Sequence, residues 1–209
     1  MRDLKNLNCL LPDTKKLLLE INETCPFLNR YVLVGGSALT LQLCHRKSED
    51  LDFFTYDDSF SKEDILEYIK HFNQKEILNQ TDEQMDILLN GVKVTFFNAK
   101  WGFLKPKKVE SFNLASMESI ATMKVNVLFL RAKYRDYYDL LFIYKHFKSL
   151  KKIFENSSNI LEGVTFKLFC IALLYIDDIE DDDIDYLEPI LKISKEEIRN
   201  IFEKGLIKR

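Results

Sequence analysis

Tyr31-Val32-Leu33-Val34-Gly35-Gly36-Ser37, followed by Asp50-Leu51-Asp52-Phe53-Phe54, is the pair of segments on which the reading of this chain turns. The first has the apolar run of a buried strand leading into a Gly-Gly-Ser turn. The second reads as another strand, with carboxylates at i and i+2. Side chains alternate along a strand, so Asp50 and Asp52 share one side while Leu51 and Phe53 take the other. Two adjacent like charges repel, and a fold that desolvates them together needs a cation beside them. Hard oxygen ligands of this kind suit Mg²⁺ (or Mn²⁺), which keeps room for phosphate and water in its shell. Gly35 and Gly36 let backbone approach a ligand closely, and the amides of the turn and of the following helix N-terminus suit phosphate. A phosphate cradle beside a metal-binding carboxylate pair implies phosphoryl transfer, and nucleotidyl transfer is the form read here.

Composition is that of a soluble globular protein. The 209 residues suffice for one substantial domain or two small ones, and 46% hydrophobic with 30% charged residues is globular rather than disordered. No apolar run reaches membrane-spanning length and Met1-Arg2-Asp3-Leu4-Lys5 lacks a signal-peptide core, so the expectation is a cytoplasmic protein with no membrane partner. Cys9, Cys25, Cys44 and Cys170 are scattered without metal-ligand spacing and read as small buried hydrophobes, neither zinc ligands nor disulfides. Net charge is −3, but eight acidic residues and no basic one lie between Asp177 and Glu188, leaving 30 basic against 25 acidic elsewhere. The remainder is mildly compatible with an anionic substrate.

In order, the pattern predicts a helix over Leu10–Glu23 with Asp13 as its N-cap, a strand over Tyr31–Gly35, a helix from Ala38 to Cys44 and a strand over Asp50–Thr55. Ser61-Lys62-Glu63-Asp64 resembles a capping box opening a helix that runs to about Phe72. Strands follow at Ile77–Asn79, Met85–Leu89 and Val92–Phe97, the last two joined by Asn90-Gly91, a strong hairpin signal. After Lys105-Pro106-Lys107-Lys108 the period turns helical: Met117–Leu130, Tyr134–Phe147, Leu150–Glu155, Thr165–Tyr175 and Lys195–Lys204, the last boxed by Ser194 and Glu197. The fold class expected is α+β, a mixed sheet with flanking helices in a domain over 1–105, then an all-helical domain over 106–209.

Gly35-Gly36-Ser37-Ala38-Leu39-Thr40-Leu41, then His45-Arg46-Lys47-Ser48-Glu49-Asp50-Leu51-Asp52-Phe53-Phe54, resembles the AbiEii-type nucleotidyltransferase toxin family, within the DNA polymerase β-like superfamily. Ser119–Lys124 followed by Arg131-Ala132-Lys133-Tyr134-Arg135-Asp136-Tyr137-Tyr138-Asp139-Leu140 is similar to its second signature. The resemblance implies a minimal nucleotidyltransferase sheet, transfer of a nucleoside monophosphate from an NTP to an acceptor such as a tRNA end or other RNA, and a cognate bacterial antitoxin as partner. It implies Asp50 and Asp52 as catalytic metal ligands, and Gly35, Gly36, Ser37, Lys124 and Arg131 around the triphosphate. Arg46, Asp136 and Asp139 are possible accessory residues.

Each assignment has a plainer alternative. Ser37 sits where a helix cap belongs. His45 can serve a helix C-terminus and Arg46 can brace the aspartates. The Lys124 stem can simply snorkel, and Arg131, Lys133, Arg135, Asp136 and Asp139 can form an internal ion-pair network. Tyr134, Tyr137, Tyr138 and Tyr144 fit core packing better than base stacking. The acidic segment reads as a solvated loop or a docking surface for a basic partner. A third carboxylate, usual in polymerase-type sites, is expected on the strand Val92–Phe97, but the inward position holds Thr95; Asp86, Asp136 and Asp139 are candidates to replace it. The rival functions are therefore a nucleotide-binding pocket that no longer reacts, and a protein-interaction module.

Overall fold

The computed structural model describes residues 6–107, 112–157, 163–180 and 184–207. The chain divides into two compact units, Met1–Ser116 and Met117–Arg209.

The first unit is built on a six-stranded mixed sheet. Its elements are α1 (Pro12–Thr24), β1 (Tyr31–Val34), α2 (Gly35–Leu43), β2 (Leu51–Thr55), α3 (Lys62–Tyr68), β3 (Lys75–Gln80), β4 (Gln84–Leu89), β5 (Val92–Phe97) and β6 (Asn113–Leu114), and the strand order is β3-β4-β5-β2-β1-β6. β2 lies between β1, antiparallel, and β5, parallel. The boundary expected near residue 105 moves to Ser116, because β6 returns to pair with β1 in parallel and Ala115 donates to the Leu33 carbonyl.

Local rules account for most element ends. Pro12 opens α1, with Leu11 as N-cap and Asp13 inside the first turn, where its charge suits the helix dipole; the cap expected at Asp13 is thus two residues too late. Ser61 Oγ accepts from the Asp64 amide at 3.1 Å, closing the start of α3. Asn90 and Gly91 both take left-handed φ (49° and 82°), as a two-residue type I′ hairpin requires.

Side-chain alternation splits the sheet into two faces. Met85, Ile87 and Leu89 of β4, Val94 and Phe96 of β5, and Leu51 and Phe53 of β2 are all buried on one of them. Phe96 there stacks on Phe53 (5.5 Å) and meets Tyr31 edge-on (5.2 Å), while α1 packs against β5. Each such side chain contributes about 1.5–3 kcal/mol on burial. The opposite face is mixed, with Asp52, Thr95 and Asp86 sharing it with Val34, Phe54 and Phe97.

The second unit contains α4 (Met117–Leu130), α5 (Tyr134–Phe147), α6 (Leu150–Ser157), α7 (Phe166–Leu174) and α8 (Lys195–Ile207), closing on Ile120, Tyr137, Leu141, Ile153, Phe169 and Phe202. Thr165 caps α7 through the Leu168 amide, and Ser194 and Glu197 exchange the two bonds of a capping box. Tyr137 and Tyr138 are fully buried with hydroxyls bonded to Ala172 and Leu191, and Tyr134 is buried on Ile193, so these rings are core, not stacking surfaces. Asp177 pairs with Arg199 at 2.8 Å; Asp181–Asp183 of the acidic run lie outside the described residues. No helix among the described residues is long and apolar enough to cross a membrane.

The cysteine expectation needs correction. Cys9 and Cys44 are joined in a disulfide with Cα atoms 5.5 Å apart. The short turn Leu7–Cys9 lies against the end of α2, where Cys44 takes a left-handed backbone conformation, a proximity that sequence spacing does not reveal. Cys25 is a buried free thiol, and burial pushes it up to about 11, which suppresses its reactivity. Cys170 is also free and is half-buried.

Candidate active site

The site begins where β1 meets α2. The helix starts at Gly35 itself, earlier than expected, and its N-cap Val34 offers no side-chain bond to the first-turn amides. Those amides and the positive end of the helix dipole are thus not satisfied by a capping side chain. Gly35 has φ +70°, a conformation L side chains rarely adopt, and a Cβ there would stand 2.5 Å from Asp52 Oδ2. The glycine is required twice, by its backbone and by the carboxylate lodged against it. A Cβ on Gly36 would stand 2.8 Å from Arg46 Nη2 and 3.1 Å from Ser48 Oγ.

Ser37 is not a cap. It lies in the first turn of α2, only 1% exposed, with its hydroxyl bonded to the Asp50 carbonyl and to Ser48 Oγ (3.0 Å). Its observed role is to fix the backbone that delivers Asp50. Ser48 is held in turn by α1's approach, since Leu11 N donates to its carbonyl (3.1 Å) and Thr14 Oγ1 to that of Glu49 (2.8 Å). His45 and Arg46 are buried, and Arg46 donates to the Lys47 carbonyl at 2.8 Å while Thr40 caps its own carbonyl at 3.1 Å. Through these bonds Arg46 ties together the segment before β2.

Asp50 directly precedes β2 and Asp52 lies within it, both half-buried. Across the sheet Asp52 is in register with Thr95 of β5, Thr95 with Asp86 of β4, and Asp86 with Asn79 of β3. In-register residues share a face, so a polar row runs over four strands on the face away from the core. Thr95 occupies the place expected for a third carboxylate and donates to Asp86 Oδ1 at 2.8 Å. Asp86 also accepts from Gln84 (2.8 Å) and lies 3.8 Å from the Lys93 ammonium. Among the described residues no group of three or more His, Cys, Asp or Glu converges as metal ligands do. Two carboxylates, with phosphate and water completing the shell, are nevertheless a donor set that suits Mg²⁺.

The second signature forms its own cluster in the helical unit. The Lys124 ammonium is buried between Asp136 Oδ1 (2.9 Å) and Asp139 Oδ2 (2.6 Å), and both aspartates are inaccessible to solvent. Half-exposed Arg131 reaches 4.0 Å from Asp136, whose other oxygen accepts from the Lys133 amide at 3.1 Å. Burial pushes the Asp136 carboxyl up, but the ammonium beside it more than reverses this and holds it below the usual carboxylate range. Lys124, Asp136, Asp139 and Arg131 thus form an internal ion-pair network, in which the Lys124 head is paired with carboxylates and does not snorkel to solvent.

Residues 16–110, which contain the glycine turn, the aspartate pair and the whole polar row, match the sequence profile described as nucleotidyl transferase AbiEii toxin, Type IV TA system. Over 184 residues the chain is 30% identical to the uncharacterised protein aq_aa25 of Aquifex aeolicus strain VF5, covering 84% of this chain and 86% of that one. The chain belongs to the AbiEii nucleotidyltransferase family. Its fold is shared with two crystal structures from Helicobacter pylori. One, a candidate nucleotidyltransferase, has a TM-score of 0.56 at 22% identity and covers 96% of this chain and 94% of its own. The other, JHP933, has a TM-score of 0.55 at 21% identity and covers 94% and 93%.

Within this AbiEii nucleotidyltransferase, sequence reasoning missed Ser48, which anchors Ser37, and the bond that makes Thr95 and Asp86 one unit. The hairpin at Asn90-Gly91 was the available signal: with a two-residue loop, the pairing that follows sets Asp86 opposite Thr95.

Proposed function

We propose that this nucleotidyltransferase moves a nucleoside monophosphate from an NTP to an RNA acceptor, a tRNA 3′ end foremost, and that it is the toxin of a bacterial toxin–antitoxin pair. The observation that supports it most is the Asp52 carboxylate lodged against Gly35 at the start of α2, an anionic metal ligand beside amides suited to phosphate. Asp50 and Asp52 are the residues that would hold Mg²⁺ (or Mn²⁺), which when bound would spread the phosphate charge and acidify the acceptor hydroxyl. Gly35 and Gly36 leave room for the Asp52 carboxylate and the Arg46 guanidinium beside the helix start, and the first-turn amides of α2 would donate to the phosphate. Ser37 and Ser48 hold Asp50 in place, and Thr95 with Asp86 flanks Asp52. In the transfer the acceptor oxygen bonds to the α-phosphorus and loses its proton, while pyrophosphate leaves with the electrons of the broken P–O bond. The toxin role and its antitoxin partner draw on the description of the family.

A second reading, a pocket that binds nucleotide without turnover, draws on Thr95 standing where a carboxylate is expected. One experiment separates the two: each labelled NTP with Mg²⁺ and total bacterial tRNA, for wild type and Asp52→Asn. Label entering RNA with wild type alone is the expected outcome. Nucleotide bound by wild type with no label transferred favours the non-reacting pocket and overturns the proposal.

A further inference from the structure

The face that presents Asp52 also presents aromatic rings. Phe54 follows Asp52 by two residues on β2, and Phe97 follows Thr95 by two on β5, so both lie on the carboxylate face about 7 Å along the strands. Their rings meet at 5.0 Å. Trp101 stands edge-on against Phe54 (5.8 Å, 65°) and stacks with Phe103 (5.4 Å, 22°). All four rings are half-buried rather than buried.

This shelf is built, not frayed. Asn98 and Thr55 share a hydrogen bond at 3.2 Å, the Lys100 amide donates to Thr55 Oγ1, and the Asn98 amide donates to the Glu83 carbonyl at 2.7 Å. The turn Gly102–Leu104 buries Leu104 and leaves Trp101 and Phe103 toward the surface. Beyond it the chain places exposed lysines at Lys105 and Lys107. Lys100, half-exposed, holds the exposed Asp58 at 3.1 Å, a surface pair of small net value that a phosphate can replace.

We infer that the shelf formed by Phe54, Phe97, Trp101 and Phe103 stacks the terminal bases of a single-stranded RNA acceptor, with Lys105 and Lys107 on its phosphates. Aromatic platforms joined to cationic side chains are how unpaired RNA is gripped, because every base has a stacking face and every linkage a charge. A lone nucleotide needs one ring and the phosphate cradle already described. Several rings followed by spaced lysines fit a strand. The shelf's position, two residues from Asp52, sets such a strand's end beside the carboxylates. This inference names the acceptor-binding surface of the transfer reaction proposed above and rests on that reading.

Trp101 is the chain's one tryptophan, so its emission reports this site alone. The test titrates the full chain with an unstructured oligonucleotide of about ten nucleotides, within the range single-stranded sites cover, following tryptophan emission without NTP. Anisotropy of the labelled oligonucleotide then compares variants. The expected results are saturable quenching, about tenfold or greater loss of affinity in Trp101→Ala, and a salt slope reduced by about 0.7 for each of Lys105→Gln and Lys107→Gln. The lysines are exposed, so the slope decides the matter even if Trp101→Ala fails to fold. Emission unmoved by saturating RNA overturns the inference, as does quenching by NTP alone that RNA does not compete away. RNA binding at Trp101 without transfer would sink the reaction and leave this surface standing. Transfer with Trp101 silent would do the reverse.

Discussion

Replacing Lys124 with methionine separates an ion-pair role from a phosphate role. In the structure the ammonium is the cation between Asp136 and Asp139, both wholly buried, and the guanidinium of Arg131 is no closer than 4.0 Å. Methionine fills the space of the stem and removes the cation that stands between the two carboxylates, leaving Asp136 the Arg131 guanidinium at 4.0 Å. The cheapest escape is for one of them to take up a proton. Doing so at pH 7, from an ordinary aspartate pKa of about 3.9, costs about 1.4 kcal/mol per pH unit, or about 4 kcal/mol in all. That agrees with the roughly 3–5 kcal/mol expected when a buried pair loses one partner. At pH 5 the same protonation costs only about 1.5 kcal/mol, so the variant regains stability toward acid. Wild type behaves oppositely. Its Asp136 carboxyl is held below the usual range, so its contribution is complete above the unfolded pKa and is lost only as pH falls through the folded one. Urea unfolding at pH 5 and pH 7 measures both. A Lys124→Met protein within about 1 kcal/mol of wild type at both pH values would refute the ion-pair reasoning and return Lys124 to the phosphate.

Three further perturbations address the first unit. Gly35→Ala places a side chain at φ +70° and 2.5 Å from Asp52 Oδ2, so it should cost at least about 1–2 kcal/mol in melting experiments and cut transfer by about a hundredfold; unchanged kinetics would break the link between this glycine and the carboxylate. Reducing Cys9–Cys44, whose cysteines are 35 residues apart, should cost about 4 kcal/mol by loop entropy, seen as a lower melting temperature with reductant, and no shift would refute it. Thr95→Val removes the hydroxyl that donates to Asp86 and should cost about 1–3 kcal/mol in urea unfolding with reduced transfer; a neutral effect on both would show that the polar row serves neither stability nor catalysis.

Much of the fold was legible because its signals are local. Alternation marks β4 and β5, Asn90-Gly91 fixes the hairpin between them, and Ser61, Thr165 and Ser194 each announce a helix start that the structure repeats. What escaped was non-local. β6 is two residues long and is a strand only because β1 offers an open edge. Cys9 and Cys44 meet because a turn before α1 lies on the end of α2, and neither position carries a sign of the other. The tyrosine run reads as core, but the partners that bury it are distant in sequence, Ala172 for Tyr137 and Leu191 for Tyr138.

The Gly-Gly-Ser turn shows how a correct motif can hide a division of labour. From sequence, three neighbouring small residues suggest one task, cradling phosphate. In the structure they do three different things. Gly35 yields space to the Asp52 carboxylate, Gly36 yields space to the Arg46 guanidinium, and Ser37 turns inward to hold the Asp50 backbone. The turn therefore positions both aspartates. This coupling makes any larger residue at the first position doubly costly. A side chain at Gly35 strains the backbone and displaces the Asp52 carboxylate in the same step, so neither loss can be recovered without reversing the other.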